Sequence, residues 1–186
     1  MRRIALAELP TRSAEPLDQE TRVAEGPSDH KEELRCWLRL LASATLIEDE
    51  IRRRLREKFA VTLPRFDLLA QLEKAPVGLT LGELSQRLMV SNGNVTGLVD
   101  ALVTEGIIAR NAAPADRRYA FVSLTKKGRT LFAEMARAHG DWIAEIFADL
   151  TAAERAALMR LLGKTKHSTR KAIDARQAAN RKRKEV

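Results

Sequence analysis

Between Ser91 and Asp100 the chain reads Ser91-Asn92-Gly93-Asn94-Val95-Thr96-Gly97-Leu98-Val99-Asp100. Asn92, Asn94 and Thr96 can both donate and accept hydrogen bonds, the capacity needed to tell one base edge from another in a DNA groove. At helical spacing Gly93, Asn94, Thr96, Gly97 and Asp100 share one face, while Val95, Leu98, Val99 and Leu102 share the other. Two glycines four apart on an exposed helical face cost roughly 1 kcal/mol each against alanine. That cost has two readings: neutral drift, or a partner that approaches the backbone closely. Downstream, Asp116-Arg117-Arg118 places two adjacent cations in a turn, where they suit phosphate oxygens and a narrow minor groove. Catalytic chemistry finds no comparable support. No Ser/His/Asp or Cys/His constellation and no Gly-rich phosphate loop can be assembled, so the chain reads as a non-enzyme that calls for no cofactor. His30, His139 and His167 are too scattered to form a metal site.

Local signals then fix the elements that position these residues. Thr80 followed by Glu83 forms a capping box, in which hydroxyl and carboxylate each satisfy an orphan backbone donor. Leu81, Leu84 and Leu88 give the helix over residues 80–90 its buried stripe. Ser91 is the expected N-cap of a second helix over 92–105, and Gly106 its closing C′ glycine. Residues 107–110 and 119–124 alternate in strand fashion around a turn containing Pro114 and Asp116. Two helices and a hairpin make a winged helix, with a mainly α fold and one small β-hairpin.

On these residues the chain resembles the MarR family of bacterial transcription regulators. Asp116-Arg117-Arg118 with Leu124-Thr125-Lys126-Lys127-Gly128 is similar to the family's wing signature D-x-R-x5-L-T-x-x-G, and the two helices above match its DNA-reading pair. The likeness covers roughly residues 31–163. It implies that Ser91, Asn92, Gly93, Asn94, Thr96 and Gly97 contact double-stranded DNA. Arg118, steadied by Asp116, is implied in the minor groove, with Arg117 on the backbone. One departure stands out: Ala101 occupies a position where similar proteins often carry Arg or Lys.

The rest of the chain fits that frame. Residues 1–29 lack periodicity and read as a mobile arm, residues 30–60 as a first dimerisation helix, and 61–124 as the winged region. Residues 125–170 read as C-terminal dimerisation helices, and 171–186 as a basic tail, with the helix continuing through Ile173 and fraying into residues 180–186. Pro64 suits a first helical turn, and Thr151 with Glu154 makes another capping box. The helices at both ends carry more apolar surface than one small winged helix can bury, which marks a partner face. The family resemblance implies a homodimer, interlocked through residues 34–41 and 143–162, on a pseudo-palindromic operator.

The net charge of +8 on 186 residues is concentrated at one end: residues 164–186 hold nine Lys/Arg against two Asp/Glu. A basic tail is more often solvated than a reader, so charge alone does not carry the DNA reading. The run from Arg52 to Lys58 has the same two readings, solvated face or phosphate contact. No apolar run reaches membrane-spanning length, and a single cysteine excludes an internal disulfide; the chain is expected to be cytoplasmic.

In the family a small ligand, often an aromatic acid, binds between the dimer lobe and the winged helix. The resemblance is nearest to regulators of aromatic-acid catabolism, several of which answer to acyl-coenzyme A thioesters. Trp37, Phe66, His139 and Trp142, with Arg39 or Arg65 for a carboxylate, are the effector candidates; packing is the plainer reading of each aromatic. Cys36, between Arg35 and Arg39, is either a buried inert thiol or a redox sensor. A winged helix used only to bind protein is the remaining alternative.

Overall fold

The computed structural model describes residues 30–112 and 120–184. The expected arm (1–29) and the wing residues Asp116, Arg117 and Arg118 lie outside them. The chain divides into two compact units, residues 1–68 and 69–186.

The first unit is dominated by α1 (Lys31–Phe59). Ile51 and Leu55 are buried towards its C-terminus, together with Val61, Phe66 and Leu68. Its N-terminal half leaves Leu34, Trp37, Leu40 and Leu41 exposed. Ala60 closes α1 in the left-handed region at φ 54°, its N–H donating to the Arg56 carbonyl. The basic run near this end is an ion-pair face. Arg52 pairs with Glu48 and Asp49, Arg53 with Glu50 and Glu57, and Arg54 with Glu50. The Arg53 guanidinium, and after it Arg54, holds the Glu50 carboxyl down to about 2. α2 (Leu63–Glu73) begins with Pro64 in its first turn and crosses the division between the units.

In the second unit the elements that follow are β1 (Leu79–Thr80), α3 (Leu81–Leu88), α4 (Asn92–Thr104), β2 (Ile108–Ala112), β3 (Ala120–Leu124), α5 (Lys126–Ile146) and α6 (Ala152–Lys184). Sequence pattern supplies two strands; the structure has three, antiparallel in the order β1-β3-β2. Leu79 faces Val122 in register, and Ile108 faces Leu124. All four are buried.

α3 packs on α4 and α4 on β2. Leu84, Val95, Val99 and Leu102 are almost wholly shielded, with Leu69 and Leu72. Each such side chain contributes about 1.5–3 kcal/mol over remaining in water, so this small core is sufficient to fix α4. The capping box at α3 is present in both directions: Glu83 N–H donates to Thr80 Oγ1 and Thr80 N–H to Glu83 Oε2, at 3.2 and 2.8 Å. The same exchange joins Thr151 and Glu154 at the start of α6. α6 continues unbroken to Lys184, in contrast to the fraying expected from Asn180 onward.

Candidate nucleic-acid interface

α4 has two faces of opposite character. Val95, Val99 and Leu102 are turned inward, while Gly93, Asn94, Gly97 and Asp100 are exposed and Thr96 is half-buried. Asn92 opens the helix. A Cβ built at Gly93 or Gly97 would meet nothing within 4 Å. No internal contact therefore requires either glycine, and each still costs helix stability. Ser91 occupies the N-cap position, at φ −65° and ψ 149°, but its side chain makes no capping hydrogen bond. This corrects the expectation that its hydroxyl caps the helix.

The C-terminus of α4 ends in a pair of hydrogen bonds that satisfy two of its last carbonyls. Gly106 N–H donates to the Val103 carbonyl and Ile107 N–H to the Leu102 carbonyl, at 2.9 and 3.0 Å. Gly106 supports this with φ +68°.

The residues from Leu124 to Gly128 act as a clamp. Thr125 Oγ1 accepts from Gly128 N–H at the head of α5. The same hydroxyl lies 2.8 Å from the Gly106 carbonyl and 3.0 Å from that of Ile107, to either of which it can donate. Lys127 Nζ donates to the Glu105 carbonyl and Arg129 to that of Leu124. A Cβ at Gly128 would sit 2.0 Å from the Ile107 carbonyl oxygen, so no larger residue fits there without moving backbone. The end of α4, the base of the hairpin and the start of α5 are thereby locked together.

One further contact has no counterpart in the sequence reading. Arg110 on β2 donates to Asp100 Oδ1 on α4 at 2.5 Å, and both are exposed. The pair ties the outer face of α4 to the hairpin and sets a cation one residue from Ala101. A helix-to-strand pairing of this kind leaves no local signature.

The effector candidates lie on three helices. Trp37 and Arg39 lie on α1 and are exposed; on α2, Arg65 is half-buried and Phe66 buried. Roughly 33 Å of helix axis, at about 1.5 Å per residue, separates Trp37 from the end of α1, and Arg65 and Phe66 lie just past that end. The structure does not bring those two pairs together within one chain. His139 and Trp142 are half-buried on α5. Cys36 is exposed, not buried as the plainer reading held.

An outward polar helix face, fixed by a core behind it and clamped to a hairpin beside it, is the arrangement of a winged-helix fold. Residues 61–119 match the MarR family model. A MarR family transcriptional regulator from Silicibacter pomeroyi is 30% identical, covering 77% of this chain and 99% of that one with a TM-score of 0.65. A mutant of Escherichia coli MarR, solved in complex with operator DNA, is 26% identical over 75% of this chain and 99% of its own, with a TM-score of 0.63. Bordetella bronchiseptica BpsR, whose DNA binding is regulated by 6-hydroxynicotinic acid, is 26% identical over 76% and 98%, with a TM-score of 0.61. The chain belongs to the MarR family of DNA-binding transcription regulators. Among the described residues, no helix is long and apolar enough to cross a membrane.

Proposed function

We propose that this protein is a dimeric cytoplasmic repressor that binds a pseudo-palindromic operator and is released by a small aromatic carboxylate or its coenzyme A thioester. The observation that carries the DNA contact is the outer face of α4, where a Cβ at Gly93 or Gly97 would meet nothing within 4 Å, beside the exposed Asn94 and the half-buried Thr96. Asn92, Asn94 and Thr96 read bases, and the two glycines let the helix axis sit close to the groove. The Ser91 hydroxyl, which caps nothing, is available to a phosphate. Arg118, steadied by Asp116, enters the minor groove, and Arg117 holds the backbone.

The dimer is supported by surface left open in the single chain. Trp37 is 54% exposed, alongside Leu34, Leu40 and Leu41 on α1. In the second unit, a groove of about 680 Å³ runs between α5 and α6, lined by Ile143, Phe147, Leu158, Met159 and Leu162. This favours packing, not ligand contact, as the role of Trp37.

The effector reading draws on BpsR and its aromatic acid, with Arg39, Arg65, Phe66, His139 and Trp142 as the residues to probe. Calorimetry with benzoates, hydroxycinnamates and their thioesters, with and without operator DNA, tests it. Coupling of about 1–3 kcal/mol weakens DNA binding roughly 5- to 150-fold, and DNA weakens effector binding by the same factor. Equal affinity in both conditions, or no binding, removes the effector. Thiol sensing through Cys36 is the second reading, favoured by its exposure.

A further inference from the structure

We propose that the C-terminal part of α6 is a second DNA-binding element, a cationic helix that engages phosphates flanking the operator. The inference rests on the DNA reading above. α6 runs unbroken from Ala152 to Lys184. From Met159 onward every described side chain on it is exposed. Residues 164–184 extend it by roughly 30 Å. They hold nine Lys/Arg and one acid, Asp174.

That helix is held together by composition and by its root. Ala, Lys, Arg and Gln are strong helix formers, and the N-terminal half, opened by the Thr151–Glu154 box, supplies the costly nucleus. Charge works against it. Asp174 stands within helical reach of Arg170 and Lys171 and offsets them, but Lys166 and Arg170 repel at i,i+4, and the last four residues to Lys184 are all cations. The cations are spread around the helix, not gathered on one side.

Those features select the occupant. A second copy of the same helix would bring equal positive charge alongside. The stripe Leu162, Thr165, Thr169 and Ile173 is too thin to outweigh that, even though both threonine hydroxyls turn back onto the Leu161 and Thr165 carbonyls. A bilayer surface requires a broad apolar face with several large side chains, and residues 164–184 offer only Ile173. Duplex DNA, with one charge per about 1.7 Å, complements a rod that is basic all round and needs no shaped pocket. The winged helix already tethers such a duplex to this chain, which raises its local concentration.

The test compares the full chain with a full-length variant carrying Arg170→Gln, Lys171→Gln, Arg176→Gln, Arg181→Gln and Arg183→Gln, with helicity checked by circular dichroism. Each is titrated over a range of salt against two duplexes. One is confined to the operator; the other adds about 15 base pairs on each side, roughly 50 Å of duplex at 3.4 Å per step. For the wild type, the long duplex should bind about tenfold more tightly at low salt, with a log–log salt slope steeper by roughly 2–4. The variant should lose that difference yet bind the short duplex, and choose the operator, as the wild type does. Equal slopes for both proteins on the long duplex overturn the proposal. So does a loss seen on single-stranded RNA or phosphatidylglycerol vesicles while long-duplex binding is unchanged. A wild type that fails on the short duplex overturns the underlying DNA reading instead.

Discussion

α4 and the far part of α6 both present polar side chains outward, and they are held in opposite ways. α4 has a buried face of Val95, Val99 and Leu102, a closed C-terminus at Gly106 and a clamp through Thr125 and Gly128. α6 past Met159 has neither a buried face nor a clamp among its described residues. Base edges must be met within a few tenths of an ångström, so a reader has to be fixed by contacts behind it. Phosphate attraction falls off slowly and tolerates misplacement, so a cationic helix can act from a loosely held position. On the proposed DNA contacts, specificity in this chain belongs where packing is dense, and non-specific affinity where charge is dense.

The sharpest way to break that contrast is to loosen the clamp. Gly128→Ala forces a Cβ into the Ile107 carbonyl, which is backbone and cannot swing aside. We expect a loss of at least about 3 kcal/mol of stability, at the upper end for overpacking, with operator selectivity falling before non-specific binding does. Thermal melts with paired operator and random-duplex titrations check this.

Arg118→Ala should weaken operator binding by about 1–3 kcal/mol with almost no change in Tm, as expected for a polar residue that the sequence reading assigns to the wing and not to the core. An unchanged operator affinity would remove Arg118 from the interface.

The paired capping boxes provide a finer comparison. Thr80→Ala and Thr151→Ala should each cost about 0.5–2 kcal/mol, but only Thr80→Ala should impair operator binding, since α3 supports α4. The backbone N–H and then the hydroxyl of Thr80 hold the Glu83 carboxyl below its ordinary value. Its contribution is therefore complete above the unfolded value near 4.5 and is lost as pH falls below that, which melts across an acid series can follow.

The smallest effect has the most informative sign. Gly97→Ala should stabilise the fold by up to about 1 kcal/mol, because its Cβ enters open space. The same methyl should weaken operator binding. A gain in both would mean that the open space at Gly97 is not filled by DNA.

What the sequence disclosed was local. The two capping boxes and the C′ glycine each span three or four residues, and each forms as read. The mainly helical winged fold followed from them. The misses have physical reasons. A two-residue strand has no room for periodicity, and β1 is defined only by Val122 and Phe121, about forty positions away. Asp100–Arg110 joins a helix to a strand. The charge of residues 181–184 points to fraying, whereas their Lys and Arg side chains favour a helix once its start is nucleated. The exposure of Cys36 depends on which face of α1 finds a partner, and helical spacing cannot supply that.

The near-contact of Gly128 with Ile107 has a mechanical consequence. With the Ile107 carbonyl pressed against the first turn of α5, and the Thr125 hydroxyl within hydrogen-bond reach of it and of the Gly106 carbonyl, the start of α5 is coupled closely to the end of α4. We expect a push on α5 to reach α4 as translation. Regulation transmitted through α5 would then change where the reading head stands, not what shape it has. An induced protein should keep its preference among short half-site duplexes while losing its hold on the two half-sites together.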